Sequence, residues 1–491
     1  MKSGNSYARQ AWYSVNLLAI GWISGIFLIF FIYPPYWALM DDASYWYLAK
    51  GGFENMNFIE WLAYFTHHDF SWGMFRPLYA IFIYGFYGSF WQSSALAYSF
   101  IFIINLSVFW IWSILFEKSL LQAFRLNSSQ ETKIYRTLFF IFCFLFSPNY
   151  TLFFFASLQE RLVLIFGSIS LLAMLNIHGG RASFLRSSAL MLVGVISALL
   201  SKATALFFIP YYILWLLALG IAKRKWFYGW LAGLLCLLIV GAGLFFLSIR
   251  KGYTADYQIM TLTSNFFHGG KRFYTPFWFA CAVLLIIAVY YLLRSKEVKW
   301  IDLFPLLVWP AALLSYLVIM APWRSAINYY LIVPGGIFWT GCKLLPIFLV
   351  LLWFPERWRR IILIIVVMVS AGVSIPSMRK FVMSAKQHHI TGQVVTFLKD
   401  EVDRNGKDQV LIRMPPPCLE ATRSMGLFLS GSTDFVTMLD GNDLVYDPLS
   451  NSKKKLLILN GECNDIPAQF SPRKLIFKES PWEIYELADR L

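Results

Sequence analysis

Residues 12–45 read WYSVNLLAIGWISGIFLIFFIYPPYWALMDDASY. The run from Trp12 to Tyr33 matches the roughly 20 apolar residues that cross a bilayer as a helix. Pro34 and Pro35 follow it where a signal peptide would carry small residues for cleavage, so the segment is expected to be a retained first span with the N-terminus inside. Two adjacent carboxylates, Asp41 and Asp42, come directly after it, at the point where the chain leaves the membrane on the outer side.

The composition of the 491 residues agrees with that start. The chain is 58% hydrophobic and 19% aromatic, with only 14% charged residues, which excludes a soluble enzyme, a disordered chain and a disulfide-framework protein. Apolar runs mark spans at about 12–33, 95–116, 137–157, 162–177, 187–200, 205–220, 228–248, 277–293, 301–320, 328–351 and 361–376, eleven in all. The pair 187–200 and 205–220 is short for two full spans and reads as two short helices buried in protein. Residues 77–91, interrupted by Gly85 and Gly88, read as a helix lying at the interface. With that choice the inner segments hold 17 Lys+Arg in 63 residues and the outer ones 9 in 114, as the inward bias of basic residues requires.

This topology places a large first loop, 34–94, on the outside, and aromatic stretches such as Tyr45-Trp46-Tyr47 within it suit juxtamembrane helices. The expected architecture is an all-α polytopic membrane domain over 1–376 followed by a small α/β domain over 377–491, on the outer face. The tail has 15 basic and 15 acidic residues, so the net charge of +15 belongs to the membrane part. Anionic lipid accounts for it, and no nucleic-acid partner is implied. Cys418 and Cys463 both fall in the tail, where they either pair as a disulfide or stay as two thiols.

Chemistry in such a chain is sought among polar groups at membrane depth or in the outer loops. Asp41 and Asp42 are able to activate a hydroxyl, one as general base and the other as its partner; the same pair also suits a helix cap before Ala43. Four cations meet the outer side at the ends of different helices: Arg76 ahead of Pro77, Arg161 beside Glu160, Lys202 between two apolar helices, and Arg324. Such a set suits a phosphate, although each cation alone is commonly a snorkelling side chain. His67-His68 and His388-His389 lack the i, i+4 spacing of helical ligands, so no metal site is expected. The absence of a phosphate-binding glycine motif argues against nucleotide coupling.

The order of these features resembles the GT-C superfamily of integral-membrane glycosyltransferases, which use polyprenyl-phosphate-linked sugars. The matching segments are Met40-Asp41-Asp42-Ala43-Ser44-Tyr45, Phe75-Arg76-Pro77-Leu78, Phe146-Ser147-Pro148-Asn149, Gln159-Glu160-Arg161-Leu162, Leu199 to Ala205 with Lys202, and Arg324 with Asn328-Tyr329-Tyr330. The resemblance covers about residues 12–340. It departs at Ala203, where many relatives carry an acid after the lysine.

The resemblance implies that Asp41, or in its stead Asp42, is the general base, with Tyr45 and Glu160 supporting. It implies that Arg76, Arg161, Lys202 and Arg324 hold the donor phosphate, and that transfer inverts the anomeric carbon. No cofactor is implied, since the lipid-phosphate sugar is a substrate. Size and the outer C-terminal domain are also similar to serotype-converting O-antigen glucosyltransferases of the bacterial inner membrane. That implies undecaprenyl-phosphate glucose as donor and lipid-linked O-antigen on the periplasmic face as acceptor. An O-antigen polymerase or ligase, or a flippase for lipid-linked glycans, are the alternatives.

Overall fold

A computed structural model describes residues 4–38, 41–51, 56–71, 74–124, 130–145, 151–154, 156–180, 183–249, 299–320, 335–353 and 356–405, together with the strands at 410–413, 439–440, 443–444, 456–460, 472–479 and 482–487. The helices are α1 (Gly4–Ile32), α2 (Asp41–Gly51), α3 (Phe58–Ser71), α4 (Pro77–Phe90), α5 (Ser94–Ala123), α6 (Gln130–Leu145), α7 (Thr151–Phe154), α8 (Glu160–Gly179), α9 (Phe184–Ser201), α10 (Ile209–Lys223), α11 (Phe227–Ile249), α12 (Phe304–Met320), α13 (Gly335–Trp353) and α14 (Glu356–Asn405).

Among the described residues, six helical segments are long and apolar enough to cross a membrane: Trp12–Ile32, Ser94–Ala123, Glu160–Gly179, Phe184–Ser201, Ala203–Lys223 and Phe227–Phe245. Two of these revise the sequence reading of a pair of short helices. The Ser183 hydroxyl caps the backbone N–H of Arg186 and starts α9 four residues before the apolar core begins. A 3-10 turn over Ala203–Phe208 leads directly into α10. Counting apolar residues alone had omitted both ends. The span expected at 277–293 lies outside the described residues. Helix α4 has 14 residues, fewer than the roughly 17 that a spanning helix needs.

The closest helix pair is α8 and α9. A Cβ added at Gly194 would lie 2.8 Å from both the Phe166 carbonyl oxygen and the Ser170 nitrogen, so the backbones meet where only glycine fits. Close approach at a small residue is how apolar helices gain contact when lipid is no worse a solvent than protein. A large apolar cluster joins α1, α5, α6, α8–α10, α12 and α13. A second, smaller cluster gathers α2–α5, the outer part of α14 and Ile484.

Helix α14 has 50 residues, about 75 Å of helix at 1.5 Å per residue. It runs straight through position 376, where the two domains were expected to meet. Beyond it, β1 (Val410–Arg413), β4 (Leu456–Asn460), β5 (Pro472–Glu479) and β6 (Trp482–Leu487) form a sheet of order β1-β4-β6-β5, with β1 and β4 parallel and the other pairs antiparallel. The short strands β2 (Leu439–Asp440) and β3 (Asp443–Leu444) make a separate antiparallel pair.

Candidate functional site

The end of the bundle that holds Asp42 is organised around the connection between α6 and α8, of which residues 151–154 and 156–159 are described. Asp42, in the first turn of α2, is 1% exposed. Its Oδ1 accepts from the Tyr87 hydroxyl at 2.9 Å and from the Ser157 N–H at 2.8 Å. Its Oδ2 accepts from the N–H groups of Ala156 at 3.1 Å and Ala38 at 3.3 Å, and lies 3.0 Å from the Tyr98 hydroxyl. Five donors from five separate positions saturate this carboxylate. Burial, and then the Asp42 charge, push the Tyr87 phenol well above its ordinary value, which keeps it protonated as a donor.

Arg161 holds the same segment from the other side. Its Nε donates to Asn105 Oδ1 at 2.9 Å, Nη1 to the Ala156 carbonyl at 2.9 Å, and Nη2 to the Leu152 carbonyl at 2.8 Å. The guanidinium is 1% exposed. The peptide unit joining Ala156 to Ser157 therefore points its N–H at Asp42 and its C=O at Arg161, so an oriented backbone dipole lies between buried charges of opposite sign.

Arg76 is also committed. Its Nη2 and Nε contact Asp69 Oδ1 and Oδ2 at 2.6 and 3.0 Å, and its guanidinium lies 5.2 Å from the Tyr79 ring and 5.9 Å from the Phe65 ring. Burial acts against its charge, but the bidentate bond to Asp69 and the neighbouring tyrosines raise its pKa above the ordinary value. The Tyr79 hydroxyl donates to the Ser157 carbonyl at 2.6 Å, tying this pair to the same segment. Tyr45 packs against Phe65, Tyr79 and Tyr87 at centroid distances of 6.2, 5.8 and 5.9 Å.

The remaining cation differs. Lys202 is paired with Glu160 Oε1 and its side chain is 20% exposed, whereas the Glu160 side chain is 3% exposed. Glu160 Oε2 and Gln159 Oε1 have no hydrogen-bond partner among the described residues. Here a partly exposed ammonium lies beside buried acceptors that have no partner among the described residues.

Comparison with solved structures finds similarity over nearly the whole chain to ArnT from Cupriavidus metallidurans. The crystal structure bound to undecaprenyl phosphate is 11% identical, covers 96% of this chain and 98% of that one, and has a TM-score of 0.43. The apo crystal structure has the same identity and coverage and a TM-score of 0.42. No family model and no curated protein matches the sequence.

Thus Asp42, Tyr45, Arg76, Glu160, Arg161 and Lys202 gather at one end of the bundle, linked through the connection between α6 and α8. Asp41 opens α2, and its side chain lies outside the description. Arg324, Cys418 and Cys463 lie outside the described residues. Sequence reading missed Asp69, Tyr87, Tyr98 and Asn105, and weighed His388 only as a metal ligand. Helical spacing carried part of that signal: Tyr98, Asn105 and Trp112 recur every seven residues on α5, and each engages a group between Leu152 and Leu164. The ring of His388 stacks on Phe154 at 5.0 Å, and burial pushes its pKa down to about 4 against the pull of Asp42 and of a backbone bond to Tyr36. His389 faces the Pro34 carbonyl at 3.1 Å. Among the described residues no three His, Cys, Asp or Glu side chains gather as a metal site.

Proposed function

We propose that this chain is an inverting glycosyltransferase that moves a sugar, with glucose favoured, from a polyprenyl-phosphate carrier to a lipid-linked or cell-surface glycan such as O-antigen. The observation that carries the reading is the acidic pair that begins α2. One of its members is saturated by five hydrogen bonds and fixes the helix start, which leaves Asp41 as the base. Asp41 removes the proton from an acceptor hydroxyl as that oxygen attacks the anomeric carbon. The bond from that carbon to the phosphate oxygen breaks, and its electron pair leaves with the polyprenyl phosphate. A single displacement of this kind inverts the centre.

Lys202, together with Arg324, takes the phosphate charge as it develops. Glu160 orients the ammonium. In this reading Arg76 and Arg161 act as braces of the segment that carries the site, because Arg76 grips Asp69 through two nitrogens and Arg161 is held by Asn105 and backbone carbonyls. Phosphate leaves without protonation, so no second carboxylic acid is needed.

The test is sugar transfer in membranes carrying wild type, Asp41→Asn or Lys202→Gln, at matched protein levels, against a panel of polyprenyl-phosphate sugars. Asp41→Asn is expected to lose about 100-fold or more, the size of a general-base contribution. Lys202→Gln is expected to raise KM for the donor. Absence of donor consumption by wild type would sink the reading.

A further inference from the structure

Pro34 and Pro35 follow the end of α1 and open the stretch 34–38 that leads towards the acidic pair. Two successive prolines fix φ and bias the residue before each to extended backbone, so the stretch passes a displacement on rather than absorbing it. Its far end meets the surroundings of Asp42. Trp37 stacks on Tyr87 with 5.2 Å between ring centroids and lies 6.0 Å from the Tyr98 ring, and the Ala38 N–H donates to Asp42 Oδ2 at 3.3 Å. Tyr87 and Tyr98 are themselves partners of that carboxylate.

Its near end is gripped by one turn of α14. The Pro34 carbonyl lies 3.1 Å from His389 Nδ1. A carbonyl only accepts, so Nδ1 carries a proton. The Gln393 amide nitrogen, 3.2 Å from Nε2, only donates, so Nε2 accepts, and both neighbours select the same neutral tautomer. The Tyr33 ring packs against His389 at 6.1 Å. His388 bonds the Tyr36 backbone and stacks on Phe154 at 5.0 Å. At Gly392 an added Cβ would lie 2.7, 2.8 and 3.0 Å from Tyr36 Cβ, Cγ and Cδ2. Carbon atoms in contact prefer about 3.5–4.0 Å, so any side chain there displaces Tyr36 by about 1 Å.

We propose that His388, His389 and Gly392 are positioning residues for the start of α2: by holding Pro34 and Tyr36 they set where Asp41 stands. Packing alone would need neither a directed hydrogen bond to the Pro34 carbonyl nor a bare Cα at position 392. The helix that leads into the C-terminal sheet thus fixes the first residue of α2 through a stiff stretch of backbone. The role of Asp41 as the base rests on the glycosyltransferase reading; the grip of α14 on residues 34–36 does not.

The test combines amide hydrogen exchange of the purified full chain with sugar transfer from polyprenyl-phosphate glucose in membranes at matched protein levels. His389→Leu is expected to speed exchange at residues 36–44 by about 2- to 10-fold, the loss of one hydrogen bond. His389→Asn is expected to restore protection, because its amide nitrogen donates from the place of Nδ1. Gly392→Ala is expected to lower kcat by about 10- to 100-fold with the donor KM unchanged, the cost of a base misplaced by about 1 Å. Gly372→Ala on the same helix, where an added Cβ meets nothing within 4 Å, should change neither. A role in packing alone would lower the unfolding midpoint in step with the rate and would not distinguish leucine from asparagine at position 389. Wild-type exchange in His389→Leu, failure of asparagine to restore it, or an effect of Gly392→Ala on KM alone overturns the proposal. If wild type transfers no sugar, the glycosyltransferase reading falls, and exchange at residues 36–44 still decides whether α14 holds the start of α2.

Discussion

Asp41 and Asp42 are neighbours of the same type, and at the scale of single residues the structure describes the surroundings of Asp42 alone. Asp42 accepts from Tyr87, Tyr98, Ala38, Ala156 and Ser157. Asp42→Asn turns one acceptor oxygen into an NH₂ group facing donors, a change expected to cost about 1–3 kcal/mol for each group left unpaired. Thermal unfolding in detergent is the measurement, and the midpoint should fall. Asp41→Asn should shift stability by no more than the roughly 0.3–1 kcal/mol of a helix-end charge while activity collapses. The same logic applies to Arg161. Arg161→Met removes a fully buried cation from the neighbourhood of Asp42 and frees the carbonyls of Leu152 and Ala156, at an expected cost of about 3–5 kcal/mol. Arg161→Lys should rescue little of it, since one ammonium cannot reproduce the planar fork. If Arg161 instead held the donor, the lysine variant would fold normally and bind donor weakly.

Among the described residues, helices were legible from the sequence where apolar runs were long, and their ends were not. The start of α9 depends on a hydroxyl at Ser183, and the lead into α10 is a 3-10 turn without a hydrophobic period. The acidic pair could be found, but the surroundings of Asp42 could not: its donors come from positions 38, 87, 98, 156 and 157, brought together only by the fold. Arg76 was equally opaque, because Asp69 sits seven residues earlier on a helix, α3, that reads as an aromatic interfacial stretch. Packing between elements gives its own prediction. Gly194→Ala puts a methyl into backbone of α8 at 2.8 Å, whereas Gly233 on α11 has nothing within 4 Å of the corresponding position. The first change should destabilise by about 1–3 kcal/mol, and the second should be neutral or stabilising by roughly 0.5–1 kcal/mol, the usual gain of alanine over glycine in a helix. Parallel unfolding curves of the two variants decide it.

Across the whole molecule, α14 is the element that links the surroundings of Asp42 to the C-terminal sheet. It packs so closely on the exit of α1 that a Cβ at Gly392 would lie 2.7 Å from Tyr36 Cβ. Ile390, Val394, Val395 and Leu398 share an apolar cluster with Trp37, Trp61, Tyr87 and Ile484. His388 lies in this junction, and its proton balance makes the docking depend on pH. Its pKa falls from 6.5 to about 4 on folding, so between those values the unfolded chain binds a proton that the folded chain refuses. Stability therefore rises with pH across that window and is unaffected by this group above it. Acidification from pH 7 towards 4 should lower the unfolding midpoint of the wild type. His388→Gln removes the proton but keeps a polar side chain, so part of that slope should disappear. An unchanged slope in the variant would mean that His388 is protonated in the folded chain, and that the burial which joins α14 to Phe154 and Tyr36 is looser than the packing of the junction implies.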